Sequence, residues 1–108
     1  MDEARYEQLS AAALGAIEDM LEDVDADLVD VERSGDVLTL TFAKGNKAVV
    51  NTQRPTRQIW LAANARAWHF SYDEPSGRWL SDRTDRAELF SQIASIINEC
   101  AGLAIPIP

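Results

Sequence analysis

The amino-acid sequence predicts an α+β fold: a two-layer sandwich in which N- and C-terminal helices pack on one face of an antiparallel sheet of about six strands. Apolar residues recur at a spacing of three and four near both ends of the chain, as in helices with one buried face. Through the middle they alternate with polar residues, as in strands, and short turns between the strands require antiparallel pairing. Two one-sided helices and one sheet can bury their apolar faces together in two layers.

The first helix is predicted over residues 2 to about 24. Asp2, Glu3 and Glu7 suit its N-terminal end because the helix dipole favours anions there. Its buried stripe is expected to contain Tyr6, Leu9, Ala13, Ile17, Met20, Leu21 and Val24.

Alternation with a period of two begins at Val29 and predicts the sheet. The expected strands cover residues 29–32, 38–42, 47–51, 58–63, 68–72 and 78–81. Pro55 donates no ladder hydrogen bond, so regular pairing is expected to break between the third and fourth strands. In the fourth strand, Gln58 and Trp60 are expected on the face opposite Ile59 and Leu61.

The second helix is expected to begin with a capping box, in which Asp85 is the N-cap and Glu88 lies three residues later. Gly102 is its expected C-terminal stop, and the apolar tail 103–108 is expected to lie against the helices. Its apolar stripe contains Leu89, Phe90, Ile93, Ile96, Ile97 and Cys100. Cys100 is therefore expected to be an inert core residue.

Length and composition predict a single domain over residues 1–108 with a formal net charge of −8. Residues 1–36 carry twelve acidic and two basic residues, whereas residues 37–108 carry six acidic and eight basic residues. This distribution argues against nucleic acid as a partner, because phosphates are neutralised by Lys and Arg. One cysteine excludes an intrachain disulfide, and neither a signal sequence nor a membrane span is recognisable. A monomeric bacterial cytoplasmic protein is expected, or a mature form whose presequence has been removed.

Eight carboxylates lie within residues 18–32, and we call them the acidic ridge. They are Glu18, Asp19, Glu22, Asp23, Asp25, Asp27, Asp30 and Glu32. In a helix reaching residue 24, each like-charge pair at i,i+4 would cost roughly 0.2–0.5 kcal/mol. The ridge therefore does not stabilise the fold locally. Binding of a cation or of a basic partner would explain why it is present. The alternative is a face that serves only solubility.

The stretch 51–62, Asn-Thr-Gln-Arg-Pro-Thr-Arg-Gln-Ile-Trp-Leu-Ala, resembles the signature of the frataxin family, Asn-x-Gln-x-Pro-x-x-Gln-[Ile/Val]-Trp-Leu. Residues 68–72 and 79–83 also resemble that family, as does an acidic first helix that leads into an acidic first strand. The similarity covers essentially the whole chain and is greatest to the short bacterial frataxins of the CyaY type. Residues 65–67 depart from it, because bacterial relatives tend to have a Gly-rich turn there, so this loop is expected to differ in shape.

The resemblance implies an iron-binding protein that regulates iron–sulfur cluster assembly, or supplies iron to it, through a cysteine desulfurase and its scaffold protein. Carried over by position, the metal ligands are the acidic ridge, with Asp30 and Glu32 as its continuation on the first strand. The partner-binding residues are Asn51, Gln53, Gln58 and Trp60.

Carboxylates alone suit hard cations and select poorly among them, so Fe²⁺, Fe³⁺, Ca²⁺ and Mn²⁺ are all expected to bind weakly at exposed positions. No nucleophile–base pair, phosphate loop or closed metal site is recognisable, and no enzymatic activity is expected. A metal-independent module that binds the desulfurase is the alternative. A ferroxidase or iron store would require oligomers, which metal could drive.

Individual residues leave further alternatives open. Trp60 is either a core residue or an exposed interface anchor, and its parity with Gln58 favours exposure. His69 is either structural or solvent-facing, or it is an additional ligand or a pH-sensitive contact. Arg54, Arg57 and Arg66 lie around the motif and could bind an acidic partner.

Overall fold

The computed structural model describes all residues, Met1–Pro108. The elements in chain order are α1 Glu3–Met20, β1 Val29–Ser34, β2 Val37–Phe42, β3 Lys47–Gln53, β4 Gln58–Ala63, β5 Arg66–Asp73, β6 Arg78–Ser81 and α2 Leu89–Ala101. A short 3₁₀ turn, Arg54–Thr56, contains Pro55 and separates β3 from β4 as predicted. No helix is long and apolar enough to cross a membrane.

The six strands form one sheet in which each strand pairs antiparallel with the next in the sequence. Alternate side chains point to opposite faces, so one face is apolar and packs against both helices. Leu38, Val50, Ile59 and Phe70 are fully buried on this inner face. The predicted two-layer α+β sandwich is confirmed.

Both helices contribute to one apolar core with the inner face of the sheet. Leu14 and Ile17 of α1 and Ile93 and Ile97 of α2 are almost completely buried. Tyr6 is also buried, and its hydroxyl donates to the Gln58 carbonyl oxygen at 2.7 Å. This hydrogen bond joins α1 to the start of β4.

Helix α1 ends at Met20, four residues earlier than predicted. The Leu21 and Glu22 amides donate to the Glu18 and Asp19 carbonyls at 3.1 and 3.3 Å, so the chain tightens into turns with i→i−3 bonds. Extending the helix would have placed more anions at its negative end, with no basic residue in the last turn.

The predicted capping box at α2 is wrong. The N-cap is Glu88, whose carboxylate accepts from the Phe90 and Ser91 amides at 2.8 and 3.0 Å, whereas Asp85 accepts only from the Ala87 amide at 3.2 Å. Residues before Glu88 cannot be helical, because the Ala87 carbonyl accepts from the Ser81 amide and so extends the pairing at the edge of β6. Gly102 ends α2 with a φ of 69°, as predicted.

The turn between β4 and β5 consists of only two residues, Asn64 and Ala65, with φ of 53° and 60°. Such a turn suits the twist of an antiparallel hairpin. Arg66 and Ala67 already belong to β5, so this strand begins two residues earlier than predicted.

The C-terminal tail packs as predicted, with Leu103 and Ile105 partly buried against the core. The prediction that Cys100 is a core residue is wrong, because it is half-exposed at the margin of the core. Its Sγ lies 3.2 Å from Asn46 Nδ2 and 3.4 Å from Asn64 Nδ2. Asn46 lies in the turn between β2 and β3, and Asn64 lies in the turn between β4 and β5. At this end of the sheet the last turn of α2 extends past the apolar inner face.

Candidate functional site

The acidic ridge follows the chain from the end of α1 to the edge strand β1. Glu18 and Asp19 lie in the last turn of the helix, and Glu22 and Asp23 lie in the turn after it. Asp25 and Asp27 occupy the connecting loop, and Asp30 and Glu32 lie on β1. All except Glu18 and Asp30 are exposed. No three of these carboxylates converge as a ready-made metal cluster.

The loop of the ridge is shaped by Asp25. Its carboxylate accepts from the Asp27 amide at 2.9 Å, and its carbonyl accepts from the Leu28 and Val29 amides at 2.9 and 3.1 Å. These bonds turn the chain directly into β1. One oxygen of the Asp25 carboxylate therefore already has a donor.

One carboxylate of the ridge is neutralised by a residue that sequence analysis did not assign to it. Arg33 Nη1 lies 2.7 Å from Glu18 Oε1. Arg33 has the strand parity of Val29 and Val31, which places it on the inner face beneath the end of α1. That parity could have revealed the pair. The other seven carboxylates of the ridge form no ion pair, so negative charge remains concentrated at this edge.

Trp60 lies on the outer face of the sheet, as its parity predicts, and is half-buried. Asn51 and His69 are its direct cross-strand neighbours on β3 and β5. The Trp60 and His69 rings are stacked, with centroids 4.3 Å apart and planes inclined by 22°. The open face thus carries a flat aromatic pair at its centre.

Amide side chains fix one end of this pair. Gln58 Oε1 accepts from Trp60 Nε1 at 2.9 Å, and Gln58 Nε2 donates to Ser71 Oγ at 3.2 Å. Gln53 is the cross-strand neighbour of Gln58. The four residues predicted to bind a partner, Asn51, Gln53, Gln58 and Trp60, therefore lie together on one face.

An aspartate that follows β6 lies beside the other end of the pair. Asp82 Oδ2 lies 3.6 Å from His69 Nδ1, and the Asp82 amide donates to the His69 carbonyl at 3.0 Å. His69 is thus a neighbour of Trp60 on the sheet face. It belongs to a different part of the surface from the carboxylates on α1.

The three arginines around the motif do not form one patch. Arg54 Nη2 lies 3.3 Å from Glu7 Oε1 on α1, and Arg57 Cζ lies 6.0 Å from the centroid of the Tyr6 ring. Arg66 follows the other end of β4 and lies 3.0 Å from Glu99. The prediction that they cluster is therefore wrong, and binding of an acidic partner by any one of them stays a prediction.

The fold and these surfaces define a class of α+β sandwich with a polyanionic edge and an open sheet face that carries an aromatic residue among amides. A family model described as a frataxin-like domain matches residues 1–103. The chain belongs to the frataxin family.

Individual relatives agree with this assignment. The chain is 40% identical over 102 residues to the iron–sulfur cluster assembly protein CyaY of Ectopseudomonas mendocina (strain ymp), covering 94% of this chain and 91% of that protein. Frataxin from Psychromonas ingrahamii has a similar structure, with a TM-score of 0.87 and 30% identity over 97% of this chain and 96% of its own. Trimeric frataxin from Saccharomyces cerevisiae, complexed with ferrous iron, has a TM-score of 0.69 and 26% identity over 95% of this chain and 88% of its own.

Proposed function

We propose that this chain binds iron and regulates iron–sulfur cluster assembly, or supplies iron to it, through a cysteine desulfurase and its scaffold protein. The observation that carries this proposal is the acidic ridge, in which seven carboxylates have no basic partner within the chain. The relative from Ectopseudomonas is named as a cluster assembly protein, and the yeast relative was solved with ferrous iron. Both support the proposal.

The donor set of the ridge fits iron as a cargo rather than as a resident cofactor. Carboxylate oxygens are suitable ligands for hard cations, and the exposed side chains leave room for water to complete the coordination. Because no three carboxylates converge, each ion would be held by few protein ligands and would exchange readily. Binding would also relieve the repulsion among the carboxylates and so stabilise the fold.

The partner surface in this proposal has two parts. The ridge would attract Arg and Lys side chains on the desulfurase, and its charge would accelerate their encounter at low ionic strength. The outer sheet face would supply Trp60 as an aromatic anchor, with Asn51, Gln53 and Gln58 as hydrogen-bonding neighbours. In this role the chain itself carries out no chemical step.

A metal-independent interaction module is the second candidate, and two observations favour it. Glu18 is already paired with Arg33, and Asp25 is engaged within its own loop. In this alternative the ridge serves only to bind the partner. Iron would then occupy it without functional effect.

An anaerobic Fe²⁺ titration followed by backbone amide NMR tests the metal site, with Ca²⁺ as the control cation. Paramagnetic broadening confined to residues 18–32 would support iron binding at the ridge. Equal shifts with Ca²⁺ would mean a polyanion without selectivity. No change with either cation would exclude metal binding by the isolated chain and favour the metal-independent module.

Partner binding is measured separately, by titrating the chain into a purified bacterial desulfurase–scaffold complex without added metal. The variant Glu22→Gln/Asp23→Asn should weaken this binding, because it removes two exposed charges from the ridge. If metal binding falls and partner binding does not, the desulfurase does not use the ridge.

A further inference from the structure

A groove of about 460 Å³ separates the end of α1 from the C-terminal tail. Its walls are apolar and include Met20 and Val24 on one side and Ile105 and Ile107 on the other. Asp19 and Asp23 also line the groove, and both are exposed. This surface is therefore apolar within and anionic along one side.

The sequence builds the first wall by dividing the apolar residues at the end of α1 and in the turn after it between two surfaces. Ile17 and Leu21 are buried in the core, whereas Met20 and Val24 are only half-buried and border the groove. Asp19 and Asp23 are four residues apart and lie beside Met20 and Val24 in the sequence. Each carboxylate thus has an apolar neighbour in the same surface.

The tail builds the second wall. Leu103 and Ile105 pack against the core, and beyond them the tail has no regular secondary structure. Pro106 and Pro108 limit its flexibility because their φ angles are fixed. The Ile107 side chain is left 51% exposed.

We propose that this groove binds a basic amphipathic segment of the desulfurase, in which an arginine or lysine is flanked by a bulky apolar side chain. The basic group would contact Asp19 and Asp23, and the apolar side chain would enter between Met20 and Ile107. This inference rests on the proposed function. It adds an apolar contact and the C-terminal tail to the partner surface.

Charge and polarity together select this occupant. No basic residue lines the groove, and the adjacent Glu22 and Asp25 extend the negative charge, so a cationic segment is complementary. A wholly apolar segment would desolvate the two aspartates without compensation. A wholly basic one would leave the apolar walls in water. The Met20 side chain is flexible and adapts to different apolar shapes.

The test measures the affinity of the full chain for a purified bacterial cysteine desulfurase at constant ionic strength. Ile107→Ser should weaken binding by at least about fivefold, and Ile107→Arg by more, because it adds repulsion of the basic segment. Ser95→Arg is the matched control for the added charge, since Ser95 is exposed on α2 and lies neither in the groove nor on the outer face of the sheet. It should bind as the native chain does. Thermal unfolding of the three variants confirms that each is folded.

A second measurement follows the methyl resonances of Met20 and Ile107 when the desulfurase is added. Both should shift, and the methyl resonances of Ile93, which is buried in the core, should not. The inference is overturned if Ile107→Ser and Ile107→Arg bind with native affinity while Glu22→Gln/Asp23→Asn binds more weakly. In that outcome the ridge alone meets the partner and the proposed function stands. If the native chain does not bind the desulfurase at all, the proposed function fails, and this inference fails with it.

Discussion

Arg33 on β1 holds Glu18 at the end of α1 through a 2.7 Å contact between Nη1 and Oε1. The Arg33 Nε also lies 3.4 Å from the Gly35 carbonyl oxygen, so the guanidinium joins the helix to the first hairpin. This pair distinguishes Glu18 from the other carboxylates of the acidic ridge, which have no basic partner. The chain thus limits its own negative charge at the point where the ridge meets the sheet.

Arg33→Gln should free Glu18 to bind cations. We expect tighter Ca²⁺ binding, and a loss of about 0.2–1 kcal/mol in the free energy of unfolding without metal, because the pair is partly exposed. Calorimetric titration and urea unfolding measure the two effects. Arg66→Gln is the control, since it removes the Arg66–Glu99 pair outside the ridge. Unchanged Ca²⁺ affinity in Arg33→Gln would show that Glu18 is not a ligand.

Glu22→Gln/Asp23→Asn should raise the melting temperature of the metal-free protein, because it removes repulsion at the end of α1. The same variant should gain less stability from added Ca²⁺ than the native chain, since fewer ligands remain. Thermal unfolding with and without Ca²⁺ tests both statements at fixed ionic strength. A variant that gains as much from Ca²⁺ as the native chain would place the cations elsewhere.

His69→Ala should loosen Trp60, because the indole would lose the ring stacked at 4.3 Å. The Trp60 indole N–H resonance should shift, and affinity for the desulfurase–scaffold complex should fall. His69→Phe retains an aromatic ring and should restore both the resonance position and the affinity. If the imidazole itself is required, His69→Phe will bind the complex as weakly as His69→Ala. Trp68 and Trp79 are buried and act as internal references.

The sheet was predictable from sequence because its alternation is local, and so was the face on which Trp60 lies. The His69 stack was not predicted, because it depends on register. A two-residue turn at Asn64 and Ala65 pairs Trp60 with His69, and the predicted start of β5 lies two residues too late to define that turn. The end of α1 and the start of α2 could not be assigned, because turns with i→i−3 bonds end α1 at Met20 and a strand-edge bond to Ala87 delays α2. Whether the ridge binds metal depends on how its carboxylate oxygens are arranged in space, and no sequence pattern specifies that arrangement.

Glu88→Ala should destabilise the protein by roughly 0.5–2 kcal/mol, because two amides at the start of α2 lose their acceptor. Asp85→Ala should cost less, since Asp85 accepts only one longer bond, from the Ala87 amide at 3.2 Å. Urea unfolding compares the two variants at neutral pH. The opposite order of stabilities would restore Asp85 as the helix cap.

The buried Tyr6 should make the stability of the fold depend on pH in the alkaline range. Burial raises the pKa of the Tyr6 phenol above its ordinary value of about 10. The folded state therefore disfavours the phenolate, so this stabilisation is complete below about pH 10 and is lost as the pH rises from the unfolded pKa to the folded one.

Tyr6→Phe should be less stable than the native chain at neutral pH by about 0.5–1.5 kcal/mol, because the hydroxyl no longer donates to the Gln58 carbonyl. Its stability should then decline less steeply above about pH 10, since no phenol at this position ionises on unfolding. Urea unfolding at a series of alkaline pH values measures the difference between the two slopes. Equal slopes for Tyr6→Phe and the native chain would mean that ionisation of Tyr6 is not coupled to unfolding.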